Sequence, residues 1–127
     1  VTIYADNLAL FDAAYQTFGQ IDHAFSNAGL GEQGNIFSPE LTLESVREEP
    51  RSSVQVVDVN LKGPLYFARL ASVYLRQVPK GEEIDAVPMD KSLTFTSSVA
   101  AFREDPGLYV YVASKHGVMG LMRVLRR

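Results

Sequence analysis

The stretch Ile21-Asp22-His23-Ala24-Phe25-Ser26 runs straight into the turn residues Asn27-Ala28-Gly29. A short, mostly apolar segment ending in such a cluster fits a buried strand that gives way to a loop. Upstream, Leu8, Phe11, Ala14, Tyr15 and Phe18 recur at three- and four-residue steps, while Asp12, Gln16 and Gln20 fall elsewhere. That spacing predicts an amphipathic helix from about Ala5 to Phe18, with Asp6 or Asn7 as its cap and Gly19 as its stop.

Downstream, positions 30 to 50 read as a loop with a short helix near Leu43 to Arg47. A long helical stretch follows from about Ser53 to Val78, and Gly63-Pro64 within it predicts a kink after Asn60-Leu61. Lys62, Arg69 and Arg76 repeat every seven residues as one narrow polar stripe. Leu65, Tyr66, Phe67, Leu70, Val73, Tyr74 and Leu75 cover the remainder. So narrow a polar face predicts contact with a sheet and with something further, such as a helix of another subunit. Pro79 to Lys91 reads as a polar linker, and Ser92-Leu93-Thr94-Phe95-Thr96-Ser97 as the next strand. After a loop from Ala100 to Pro106, a last helix is expected from Leu108. It carries Val118, Leu121, Met122 and Leu125 on one face and Arg123, Arg126 and Arg127 at its dipole-favoured end. Two strands this far apart cannot form a hairpin, so the order helix, strand, helix, strand, helix predicts βαβ units and a parallel sheet.

Composition narrows the function classes. A chain of 127 residues with 46% hydrophobic side chains suits one domain with a modest core and excludes disorder. Twelve basic against fifteen acidic side chains, a net charge of −3, are too acidic for a dedicated nucleic-acid binder. The absence of cysteine removes disulfides, thiolate nucleophiles and most structural zinc sites, and His23 and His116 lie far apart, so no metal site is expected. No apolar run is long enough for a membrane span, and the chain opens without a basic-then-apolar signal segment. A cytoplasmic location is the expectation.

Gly29-Leu30-Gly31-Glu32-Gln33-Gly34 spells G-x-G-x-x-G. The physics of that fingerprint requires a helix opening on the last glycine, so that helix N–H groups meet a pyrophosphate. Asn35 follows instead, and Ser38-Pro39 closes the segment. A flexible loop at the end of a strand is the preferred reading.

Tyr111 and Lys115 stand four apart on the last helix and share a face. A phenol is a poor proton donor or acceptor at neutral pH, and a nearby ammonium favours the phenolate, which suits general acid–base work. The pair alone is weak, since a chain this long has roughly a one-in-five chance of some Tyr-x-x-x-Lys. Ser97-Ser98 end the second strand, where open parallel sheets carry their active residues. A hydroxyl at Ser98 beside the phenol could polarise a carbonyl oxygen; otherwise it bonds local backbone. Asn60 lies at the helix break, where an amide can hold a water between itself and a lysine or can cap the helix that restarts.

Taken together, Asn27-Ala28-Gly29, Asn60 within Asp58-Val59-Asn60-Leu61-Lys62-Gly63, Ser97-Ser98 and Tyr111-Val112-Ala113-Ser114-Lys115 occur in the order of a classical short-chain dehydrogenase/reductase (SDR), which nearly all of the chain resembles. The resemblance implies an α/β fold with a partial Rossmann-type, doubly wound parallel sheet. It also implies NAD- or NADP-dependent oxidoreduction of an alcohol/carbonyl pair, with a small-molecule alcohol or ketone as substrate. By that likeness Tyr111 is the general acid–base, Lys115 lowers its pKa and binds the nicotinamide ribose, and both Tyr111 and Lys115 count among the cofactor-binding residues. Ser98 positions the substrate oxygen, and Asn60 completes a water-linked proton relay. Asn27, Ala28 and Gly29 line the adenosine side of the cofactor. A homo-oligomer through helices 61–78 and 108–125 is also implied.

The chain departs from the family pattern in several places. No Thr-Gly-x-x-x-Gly-x-Gly turn is present, and the family's later strands, substrate lid and Pro-Gly loop are not found. Residues 1–127 are therefore expected to be the incomplete central part of an SDR domain, truncated at both ends. Ser26 stands where the family usually has a second asparagine, and Glu82 to Asp90 reads as extra linker. Two strands with one flank unpaired are expected to be marginally folded and inactive alone. Three readings stay open: a fragment of an active oxidoreductase, an inactive chain that acts through helix-mediated association, and an unrelated α/β module in which Tyr111 and Lys115 are ordinary surface residues.

Overall fold

Apolar side chains at helical spacing produce α1, Tyr4–Phe18, and Gly19 ends it in the left-handed conformation (φ 76°) that glycine adopts without strain. The cap differs from expectation. Ile3 occupies that position without a side-chain bond, and Asn7 lies inside the first turn. Its amide Nδ2 donates to the carbonyls of Val1 (2.9 Å) and Ile3 (2.7 Å), so it ties down the chain before the helix rather than accepting from the helix N–H groups. The computed structural model describes residues 1–78 and 90–126. The linker expected over 79–91 therefore lies, except for Asp90 and Lys91, outside the described residues.

The remaining elements are β1 (His23–Ser26), a 3-10 turn (Ser45–Arg47), α2 (Arg51–Val57), a π-helical turn (Asp58–Lys62), α3 (Gly63–Tyr74), β2 (Ser92–Phe95), a second 3-10 turn (Val99–Ala101) and α4 (Tyr109–Leu125). They fall into two compact units, Val1–Asn27 with Gly63–Thr96, and Ala28–Lys62 with Ser97–Arg127.

In the first unit β1 and β2 pair in parallel, with His23 opposite Ser92 and Ser26 opposite Phe95. Among the described residues each strand is paired on one side only, so this two-stranded sheet has two open edges there rather than one. Alternation turns Ala24 and Leu93 toward the helices, where they join Phe11, Leu70 and Ala71 in the core. His23, Phe25, Ser92 and Thr94 on the other face are exposed. At the start of the ladder, Lys91 Nζ binds Asp22 Oδ1 (2.6 Å) and the carbonyl of Ile21 (3.0 Å). Arg69 on α3 and Arg76 just beyond it are exposed, as the heptad spacing predicts, and so are Leu65 and Val73 on α3.

The Tyr74 hydroxyl on α3 donates to the Asp12 carboxylate on α1. That bond first, then burial and the Asp12 charge, pushes the Tyr74 phenol from 10.0 up to about 12. A raised phenol pKa means stabilisation that is present below pH 10 and is lost as pH rises through about 12. Tyr74→Phe is expected to abolish that alkaline loss. The difference in urea midpoint between pH 9 and pH 12 should correspond to about 1 kcal/mol, small because the pair is screened by solvent.

In the second unit α2, the π-helical turn and α4 pack around Val56 and Val118. The inward face of α4 is Val110, Ser114, Lys115 and Val118. Leu121 and Met122 are half-buried, and Leu125 is exposed, so the apolar face expected at the helix end is only partly used.

Candidate functional site

Pro64 explains the break in the long helix. A proline has no N–H for the carbonyl four residues back, which is that of Asn60, and its ring crowds that carbonyl. Widening the helix to a π-helical turn over Asp58–Lys62 relieves the crowding. Asn60 lies in that turn and is 1% exposed.

The Asn60 side chain makes three hydrogen bonds. Oδ1 accepts from the Leu30 N–H (2.7 Å), while Nδ2 donates to the Leu30 carbonyl (2.9 Å) and to Ser114 Oγ (3.2 Å). Ser114 in turn donates to the carbonyl of Tyr111 (2.7 Å). The loop after Ala28-Gly29 is thus tied through one amide to the helix that carries Tyr111 and Lys115. The Leu30 N–H occupies one lone pair of Oδ1, and an amide oxygen has two.

Lys115 is 4% exposed, and its Nζ lies 5.6 Å from the centre of the Tyr111 ring. A Cβ placed on Gly29 would meet Asn60 Oδ1 at 3.4 Å and Lys115 Nζ at 3.5 Å, so the amide oxygen and the ammonium converge on the same point beside a bare backbone. The absence of a side chain at Gly117 permits this packing. A Cβ there would lie 2.8 Å and 2.9 Å from the two methyl carbons of Leu61, so any larger residue would have to displace the Leu61 side chain. With its ammonium buried, Lys115 is not the ordinary surface residue that the third reading required.

Ser97 donates to the carbonyl of Lys115 (3.2 Å), which fastens the segment after β2 to α4. Ser98 caps the 3-10 turn, accepting from the Ala100 N–H (3.2 Å). The local backbone bond expected of a loop serine is therefore made, and a hydroxyl that accepts one bond still carries a proton to donate. Asn27 belongs to the first unit, where its Oδ1 accepts from Thr96 Oγ1 (2.7 Å). Ala28, Gly29, Asn60, Ser98, Tyr111 and Lys115 belong to the second.

Two participants carried no role in the sequence reading. Ser114 was visible only as part of a motif. Glu32 sat inside the discarded glycine pattern, yet its Oε2 accepts from the Tyr111 N–H (2.9 Å). The signal for it was at the other end of the bond, since Pro106-Gly107-Leu108 supplies no capping side chain where α4 begins.

Among the described residues no group of acidic, histidine or cysteine side chains could hold a metal ion, and no helix is long and apolar enough to cross a membrane.

A family model described as short chain dehydrogenase matches residues 1–127. Short-chain dehydrogenase/reductase ascJ of Acremonium egyptiacum is 34% identical over 127 residues, which is 100% of this chain and 40% of that protein. The 5'-hydroxyaverantin dehydrogenase stcG of Emericella nidulans is 37% identical over 107 residues, 84% of this chain and 31% of its own length. Among solved structures, a 3-ketoacyl-(acyl-carrier-protein) reductase from Brucella melitensis complexed with NADH superposes with a TM-score of 0.76 at 27% identity, covering 98% of this chain and 46% of that one. A short chain dehydrogenase/reductase from Burkholderia phymatum in complex with NAD gives 0.73 at 25% identity, over 98% of this chain and 38% of its own. The chain therefore spans less than half the length of these relatives.

Proposed function

This chain belongs to the short chain dehydrogenase family, and from that membership we propose that residues 1–127 carry the central part of an NAD(P)-binding, Rossmann-type domain whose reaction interconverts an alcohol and a carbonyl compound. The observation that carries the proposal is the convergence of Asn60 and Lys115 on Gly29, with the Tyr111 ring beside the ammonium.

A buried ammonium, a phenol and a backbone without a side chain form a donor set suited to the hydroxyls of a ribose. NAD or NADP, when bound, exchanges the hydride with the substrate carbon. Tyr111 gives its hydroxyl proton to the carbonyl oxygen in reduction and takes it back in oxidation. Lys115 holds positive charge beside the phenolic oxygen as it becomes negative and donates to the nicotinamide ribose. Ser98 donates its hydroxyl proton to the same substrate oxygen. Asn60 completes the water-linked proton relay to Lys115. Asn27, Ala28 and Gly29 line the adenosine side.

The test is loss of NADH or NADPH absorbance with a panel of ketones and aldehydes, run beside the reverse reaction with secondary alcohols. In an enzyme that completes the family's domain around residues 1–127, turnover with at least one nucleotide is expected, whereas residues 1–127 alone are expected to be inactive. Absence of turnover with both would overturn the catalytic reading. It would favour association, for which Leu65 and Val73 on α3 are among the exposed apolar side chains of the first unit.

A further inference from the structure

The first turn of α4 begins with a deficit. Tyr109, Val110 and Tyr111 bring N–H groups that have no carbonyl four residues back within the helix, and Leu108 at the cap position has no side-chain acceptor. One of these groups is met from elsewhere in the chain, where Glu32, 79 positions earlier, accepts the Tyr111 N–H at 2.9 Å. The other carboxylate oxygen, Oε1, is buried with no hydrogen-bond partner among the described residues. Leaving a carboxylate oxygen buried and unmatched is costly. A side chain kept there despite that cost is held for the bond its other oxygen makes.

We infer that Glu32 is a positioning residue for Tyr111: it replaces the missing cap of α4 and fixes the rotation of the helix at the residue whose phenol is proposed to move the proton. The inference rests on the catalytic reading of Tyr111. A carboxylate at a helix N-terminus also meets the favourable end of the helix dipole. The loop that carries Glu32 is held at neighbouring points, since Leu30 is clasped by Asn60 and the carbonyl of Gln33 accepts from Ser53 Oγ at 2.9 Å. Glu32 is therefore a fixed strut. The glycine-spaced segment that fails as a phosphate cradle serves instead to deliver this carboxylate to the helix.

The test compares Glu32→Ala, Glu32→Gln and Glu32→Asp in this chain, reading hydrogen exchange of the Tyr111 amide and the fluorine NMR line of 3-fluorotyrosine incorporated at 111. Glu32→Gln keeps the length and an accepting oxygen but no charge. Glu32→Asp keeps the charge but falls one methylene short. In Glu32→Ala and Glu32→Asp the amide should exchange about tenfold faster, the loss expected for one cap, and the fluorine line should move and broaden. Glu32→Gln should restore both. Parent-like behaviour of Glu32→Ala would overturn the inference, as would a Glu32→Gln variant as disturbed as Glu32→Asp. Faster exchange with an unmoved fluorine line would also overturn it, because the carboxylate would then hold the helix end without aiming the ring. If Glu32→Ala fails to fold, the Gln and Asp pair still decides. Neither readout requires turnover, so a Tyr111→Phe chain that kept full activity would remove the catalytic reading and leave these measurements standing.

Discussion

In an enzyme completed around residues 1–127, Tyr111→Phe is expected to lower kcat for carbonyl reduction by about 10²–10⁴-fold, the contribution of a positioned proton donor, while the urea midpoint stays near the parent value. The substitution is clean because the bonds that hold residue 111 are main-chain bonds. Its N–H donates to Glu32 and its carbonyl accepts from Ser114, and a phenylalanine keeps both. The ring that lies 5.6 Å from the Lys115 ammonium also remains, so the buried charge keeps its aromatic neighbour. Only the hydroxyl group is removed. Steady-state kinetics with either nucleotide, paired with denaturation of the same preparation, checks the prediction. A variant within about threefold of the parent would show that the phenol is not the proton donor.

The second large effect falls on stability. Asn60→Leu, close in volume, is expected to cost about 2–4 kcal/mol in urea unfolding followed by far-UV circular dichroism, because three hydrogen bonds leave with one buried amide. The Leu30 backbone groups are partly exposed and recover some of the loss through water; Ser114 Oγ is buried and loses its donor. Asn60→Asp should be as damaging as Asn60→Leu. It keeps an acceptor for the Leu30 N–H but sets a carboxylate oxygen against the Leu30 carbonyl, with Ser114 already donating to Tyr111. A destabilisation below about 0.5 kcal/mol for either variant would mean that the amide is an incidental contact.

These two residues differ in how far each was readable in advance. Tyr111 and Lys115 were legible as a pair, because helical spacing alone brings side chains four apart onto one face. The break at Asn60 was legible too, from Gly63-Pro64. What Asn60 does there was not, because its partners Leu30 and Ser114 stand 30 and 54 positions away, and no local pattern encodes such distances. Glu32 was misjudged for the same reason: within its own segment it is one residue of a failed glycine motif, and its bond to α4 exists only in the fold. The cap of α1 was assigned to Asp6 or Asn7 on residue type. Asn7 proved to bond backward to Val1 and Ile3, a choice set by where the preceding chain lies.

The order of elements and the left-handed stop at Gly19 depend on periodicity and backbone sterics, which act between near neighbours, and the parallel pairing follows from the length of chain between the strands, so they could be read from the sequence. The engagement of the Asn60 amide, the burial of the Lys115 ammonium and the capping of α4 by Glu32 depend on which distant groups meet. Directional bonds and desolvation take their strength from those meetings, so only the tertiary structure decided them.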